Sequence, residues 1–466
     1  MIPRVELPRV SRINEERSIF ARGPKERSVR VVVDRATAPE GDALEMLLGF
    51  AHHPLVELLS TRSEGLPHLN VGPIDHEDDQ APILISWPDG STTSTGVSPA
   101  SNYLTLTENH LRSHPSAERD EVLRVLLLAD AAKEFGADAF VTGSDALLDP
   151  TQRSRLARDS NAMTVESAVA LVGLYLRLRN DFTYRQDNEF RERFNRRLYF
   201  WVLTRELLPN AWRWTDAGGQ HSQATGDDTT LQLSLSALKR VDHALRARDR
   251  VHEQMKLPQN NDTADEALFH LDTFLVFFVS AFDAVAQAAH LIYGLDPGKL
   301  HLAGWRRKWR TKQLSIVAPQ VSALMDDGAP ARDALDLLAF LRNTIHGEAL
   351  STVARQAGGR PLENVLLLPR SQEQALLSII ARHGGNDRWG IRPLPSLGVS
   401  MQIDVFIETV LPRAIDALNT VMGAVEVERL PGVQPATLPA GPPARGSKDP
   451  FDPVKRRRVR LLGGCP

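Results

Sequence analysis

Cysteine is almost missing from this chain: Cys465 is the single one among 466 residues. One thiol excludes internal disulfides and a thiolate metal site, and such usage fits a reducing cytoplasm. Charge of one sign is missing too. Lys plus Arg number 55 against 58 Asp plus Glu, a formal net charge of −3, which argues against a uniformly basic nucleic-acid binder but not against a local basic site. Long hydrophobic runs are absent. The longest, Thr273–Ala281, lies between Asp272 and Asp283 and is too short to span a bilayer, so it reads as a buried helix and no membrane partner is expected. The opening stretch has no apolar core segment, so no secretory signal is expected. There is no internal repeat, glycine-rich phosphate loop, zinc spacing or Ser-His-Asp elbow.

What is present is an ordinary globular composition, 42% hydrophobic and 24% charged, in a chain long enough for two or three domains. Residues 1–28 are polar and Arg/Glu-rich, a flexible lead-in. Val29–Val33, broken only by Arg30, is a β-branched run ending in Asp34. Turn residues and a helix from Asp42 to about Ala51 follow, which is how an α/β domain opens. Thr61–Gln80 and Gly90–Ser101 are expected as loops around a strand at Ile83–Trp87. Ala117–Phe135 is an amphipathic helix with Val122, Val125, Leu126, Leu128 and Ala129 inward, followed by a strand at Ala139–Thr142 and then Asp145. Thr164 starts a helix that runs to Arg179.

Helix, Gly136-Ala137-Asp138, strand, Thr142 and a nearby Asp resemble the last half of PIN-like nuclease domains, and Asp34 resembles their first metal carboxylate. The helical position where that family carries an acid falls on Val125. The resemblance implies a site in which Asp34 and Asp145 hold Mg²⁺ or Mn²⁺ for attack on a phosphodiester. The alternative is an α/β domain whose aspartates cap helices and turns.

The second half reads as helical. Residues 180–208 are expected as a charged helix, Pro209–Asp228 as a Gly-rich linker, and Leu231–Lys256 as another charged helix. Glu266–Tyr293 is apolar nearly all round, with His270, Asp272, Asp283 and His290 as exceptions that need partners or a groove. Trp305, Arg306, Arg307, Lys308, Trp309 and Arg310 interleave aromatics with cations, a pattern suited to RNA: phosphates on the cations, a base on the ring. Equally, the tryptophans anchor a helix and the cations stay solvated. Val399–Val425 closes the bundle, and Leu430–Pro453 is too rich in Pro, Gly and Ala to fold. Lys455–Arg460 is a short basic run.

The chain is organised around ARDALDLLAFLRNTIHGEA, Ala331–Ala349. Leu335, Leu338, Leu341 and Ile345 recur at helical spacing, and Arg342 and His346 stand one turn apart. A fixed guanidinium beside an imidazole can hold a phosphate and move a proton. The other reading is a helix end, with His346 near the negative end of the dipole and Gly347 as C-cap. LRNTIHG resembles the signature of HEPN domains, helical bundles that often dimerise. In their active members an Arg, a polar residue and a His cleave RNA without metal. The resemblance implies Arg342, Asn343 and His346 as catalytic residues, no cofactor at that site, a homodimer, and a toxin or phage-defence setting. The spacing around Arg342 and Asp145 departs from both families and separates an RNA-cleaving enzyme from a non-catalytic sensor or scaffold. The expected fold class is α/β plus all-α. Its parts are a PIN-like α/β domain at 29–185, a connecting helix and loop at 186–229, a HEPN-like bundle at 230–428 and a disordered tail at 429–466.

Overall fold

A computed structural model describes residues 28–62, 65–149, 161–344, 349–355, 363–394, 397–441 and 452–465. The described chain forms two compact units, one of residues 28–196 with 461–465 and one of residues 197–460.

In the first unit the β-branched run is β1 (Val29–Val33), and its apolar side chains are fully buried. The chain continues through α1 (Asp42–Gly49), β2 (Val56–Ser60), β3 (His68–Val71), β4 (Ala81–Ser86) and β5 (Thr92–Val97). It then makes α2 (Ser101–Ser113), α3 (Arg119–Glu134), β6 (Ala139–Val141), α4 (Asp145–Leu148), β7 (Ala162–Met163) and α5 (Val165–Leu178). One seven-stranded sheet has the order β5-β4-β3-β2-β1-β6-β7. β1 pairs in parallel with β2 and β6, while β4 and β5 are an antiparallel edge. Arg30 is tolerated in β1 because Glu57 on β2 accepts from its Nε at 2.9 Å. Thr164 caps α5, accepting from the Ser167 amide.

The segments expected as loops hold β3 and β5. Edge strand β5, TTSTGV, is almost wholly exposed, so it never shows the alternation by which a half-buried strand is recognised. The start of the expected helix over 180–208 is instead a hairpin, β8 (Thr183–Gln186) with β9 (Arg191–Arg193). The Asp187 carboxylate accepts the amides of Glu189 and Phe190 and so makes the turn.

The second unit opens with α6 (Arg196–Leu207) and α7 (Asn210–Thr225), followed by the long pair α8 (Thr229–Lys256) and α9 (Asn261–Ile292). By length and composition α9 is the one described helix apolar enough to cross a membrane, and 67% of its most apolar window is buried inside the fold. Next come α10 (Pro330–Asn343), β10 (Ser351–Arg355), β11 (Glu363–Leu367), α11 (Glu373–Arg382), β12 (Ile391–Leu394), β13 (Gly398–Met401) and α12 (Ile403–Ala424). A four-stranded antiparallel sheet, β10-β11-β13-β12, is thus set among the helices, and the unit is mostly helical without being all-α. The helix expected over Val399–Val425 begins only after β13.

Pro209–Asp228 is helix α7 and not a linker. Trp214 is buried and its indole N–H donates to the Met422 carbonyl at 2.7 Å. Gly218 is there for closeness: a Cβ would stand 2.9 Å from the Leu231 Cα. Beyond Leu430 the chain is tied down as far as it is described, for His221 Nδ1 meets the Pro431 carbonyl at 2.9 Å and the Gln434 amide donates to Gln220. Residues 442–451, also expected to be disordered, lie outside the described residues. The basic run lies on a last helix, α13 (Pro453–Leu462).

Limited proteolysis should therefore spare residues 210–225. Gly218→Ala should cost about 1–3 kcal/mol, because two backbones must separate. Urea unfolding checks the second expectation, and early cleavage within α7 would overturn the first.

Candidate functional site

In the first unit the strand order reverses at β1, and open α/β sheets bind ligands at the carboxyl ends of strands around such a reversal. Asp34, Thr61 and Thr142 follow β1, β2 and β6 and stand at that point. Asp34 is fully buried, and both of its oxygens accept from the Arg124 fork, at 2.9 and 3.0 Å. Thr37 Oγ donates to the same carboxylate at 2.8 Å and also pairs with Thr142 Oγ at 2.7 Å. Thr61 Oγ and the Ala36 amide donate to Oδ1. Burial by itself would raise the Asp34 carboxyl, but Arg124, Thr37 and the Ala36 amide outweigh it and hold it below the usual carboxylate range. Asp145 is not among the partners of Asp34; it is exposed at the first position of α4. Val125 is buried in the core, and the cation facing Asp34 is the guanidinium of the preceding residue. Among the described residues no group of three His, Cys, Asp or Glu side chains is placed to share a metal ion.

In the second unit α10 follows the predicted stripe, with Leu335, Leu338 and Leu341 buried. It ends at Asn343, where Thr344 Oγ donates back to the Leu341 carbonyl at 2.6 Å. Ile345, His346, Gly347 and Glu348 lie outside the described residues. Arg342 is half-buried and Asn343 is exposed. The Arg342 guanidinium donates to Asn343 Oδ1 at 3.3 Å and forms no ion pair with a carboxylate of the described residues.

The acid within its electrostatic reach is Asp283 of α9, a half-buried residue that is one of the polar exceptions seen in the sequence. Burial pushes the Asp283 carboxyl up, and Arg307, Arg342, Arg240 and Arg306 offset part of that rise. Four arginines thus act on one acid. Arg306 is further neutralised by Asp336 at 2.6 Å, whereas among the described residues Arg240 binds only the Ser280 carbonyl and Arg307 only the His301 carbonyl. The surplus is positive. Arg240, on α8, carries no motif of its own and was not recognisable in the sequence; only the packing of α8 on α9 brings it here.

The Trp-Arg segment divides into buried and exposed parts. Trp305 and Trp309 are 1% and 3% exposed and contact each other edge to face at 5.6 Å between ring centroids. Trp305 donates to the Phe282 carbonyl at 2.8 Å and Trp309 to His290 Nδ1 at 2.9 Å. An acceptor at Nδ1 makes Nε2 the protonated nitrogen of His290, which donates to the Asp296 carbonyl at 2.8 Å. His290 is therefore satisfied core and not a partner of Arg342. Arg310 is buried and paired with Asp326 and the Ser322 carbonyl. Arg307 and Lys308 are exposed, so this segment offers cations and no ring for a stacked base.

One buried cluster gave no sign in the sequence. Glu408 of α12 accepts from Arg248 at 2.6 and 2.9 Å and meets His252 Nε2 at 2.6 Å. Burial would raise its carboxyl, and Arg248 and His252 instead hold it far below the usual range. All three are at most 9% exposed. Comparison of the chain with protein-family models, with curated proteins and with solved structures gave no match.

Arg124→Met leaves the buried Asp34 with only hydroxyl and amide donors and should cost about 3 kcal/mol at neutral pH. Because the folded pKa of Asp34 is depressed, its contribution is complete above the unfolded value of about 3.9 and is lost as pH falls through the folded value. The stability gap between wild type and variant, read by urea unfolding, should therefore narrow as pH is lowered through about 4.

Proposed function

We propose that this protein acts on RNA through its helical unit, with Arg342 and Asn343 gripping a phosphate and His346 supplying proton transfer in a metal-independent, HEPN-like cleavage. The observation that carries the reading is the positive surplus: Arg342 lacks a carboxylate partner among the described residues and shares Asp283 with three further arginines. An ordinary helix end has no use for such a surplus, because unbalanced half-buried charge is costly. A phosphodiester supplies the missing negative charge, and a guanidinium fork matches two of its oxygens. Asn343, exposed beside the fork, would contact the same phosphate. Arg307 and Lys308 extend the contact along the backbone of the strand.

The chemistry this reading calls for is in-line attack of a ribose 2′-hydroxyl on the adjacent phosphorus, with the P–O5′ bond breaking and the 5′-oxygen leaving with a proton, while the cation offsets charge that develops on the phosphorus oxygens and the imidazole takes or gives the proton. The PIN-like first unit would serve beside it as an α/β domain whose switch-point acid is already neutralised by Arg124. Its one thiol supports a reducing, cytoplasmic setting.

A second reading is favoured by the burial of Trp305 and Trp309: a non-catalytic RNA sensor or scaffold that holds phosphates without stacking a base, with the bundle serving for dimerisation. Purified protein incubated with total RNA, with and without EDTA, separates the two. Cleavage that persists in EDTA supports the enzyme. His346→Ala should then lower the rate about 100-fold or more, and Arg342→Lys should impair it because a point charge cannot reproduce the fork. If RNA is bound and not cut, Arg307→Ala and Arg342→Ala should each reduce the salt dependence of binding by about one unit of slope. Neither cleavage nor binding would overturn both readings.

A further inference from the structure

A different cation of the second unit lacks an anion among the described residues. Arg205, in the last turn of α6, is 4% exposed, and its Nε and Nη1 are buried without a hydrogen-bond partner among those residues. Its guanidinium lies 4.3 Å from the ring centre of Trp201 and 5.3 Å from that of Trp212. Two indoles therefore cover the cation, and ring faces satisfy a guanidinium's positive charge in part but give its N–H groups no acceptor. Burial depresses the Arg205 pKa to about 10, which leaves it charged at neutral pH.

The carboxylates close to it in the chain or on the neighbouring helix are taken. Glu206 pairs with Arg456 at 2.8 Å, Glu428 with Arg213 at 2.6 Å, and Asp216 accepts from Gln220 at 2.8 Å. The C-terminal end of α6 contributes some negative potential, as helix ends do, but worth only about 0.3–2 kcal/mol. That is too little for a buried ion whose desolvation costs several kcal/mol. Nor is the charge needed for packing, because an apolar chain of similar length would fill the same slot between the indoles without that cost.

We propose that Arg205 is the receptor of a small oxyanion, a carboxylate or a phosphate group, bound edge-on to the guanidinium beside Trp201 and Trp212. The proposal is independent of the RNA-acting reading, since it uses no residue of the Arg342 surface. With two indoles close to the guanidinium, its Nε–H edge is where a ligand can bind, two oxygens meeting Nε and Nη2 in parallel. The flanking indoles keep water away and so strengthen the pairing.

Thermal melts of the full chain test this, in sodium phosphate, in sodium acetate and in sodium chloride at matched ionic strength. The expected result is a saturable rise in melting temperature with phosphate or with acetate that chloride does not reproduce, and the anion that saturates at lower concentration identifies the group. Arg205→Met should abolish the rise and, in chloride, melt no lower than wild type. Arg205→Lys, which keeps the charge without the fork, should weaken the apparent affinity about tenfold or more. If Arg205→Met does not fold, the lysine variant decides alone. No rise beyond chloride in the wild type, or a rise kept undiminished in either variant, overturns the proposal.

Discussion

The second unit depends on one buried carboxylate. Glu408, in the second turn of α12, is gripped by the Arg248 fork and by His252, which lie one helical turn apart on α8. Leucine and alanine ridges can slide by a turn with little loss, because apolar contacts are not directional. A buried carboxylate cannot. At any other offset it would be left without counter-charge in the core, at a cost of about 3–5 kcal/mol. The net stability of such a cluster against an apolar one is small, and what it contributes is alignment of the first long helix with the last. The packing of α8 on α9 and of α10 on α9 and α12 brings Arg240 and Arg342 within electrostatic reach of Asp283.

Charge balance separates the places where chemistry could be sought. At the switch point of the sheet, Asp34 meets a full complement of donors, so its field is neutralised locally by Arg124, Thr37 and Thr61. Around Asp283 the balance runs the other way, with more arginine than acid and two of the four held only by carbonyl oxygens. Arg205 is the extreme case, a cation with covered faces and orphaned donors. Folding tolerates such imbalance poorly, and a bound anion relieves it. That shared logic is why an anionic ligand is assigned at both of the unbalanced places and none at the balanced one.

Much of the fold could be read in the residues where burial is one-sided or complete. The β-branched run of β1, the amphipathic α3, the Thr164 cap and the apolar length of α9 each carry a local pattern that survives into the structure. The patterns failed where local composition and tertiary role diverge. The glycines of α7 suggested a linker, yet Gly218 is there because α8 passes too close for a side chain. The threonines of β5 suggested a loop because an exposed edge needs no apolar alternation. Trp305 and Trp309 fitted two sequence readings equally, rings for a stacked base or helix anchors, and their N–H groups are spent inside the core.

The sequence by itself determined the α/β class of the first half, the predominance of helix in the second, the stripe that buries α10, and the prominence of Arg342-Asn343, since periodicity and residue type are local properties. Tertiary structure alone decided which charges meet. Arg124 finds Asp34 across 90 residues, Arg248 finds Glu408 across 160, and Arg240 joins Arg342 around Asp283. The physical reason is that a long charged side chain looks the same in sequence whether solvent, a carboxylate or nothing will face it. Only the packing of distant helices and strands selects among the three.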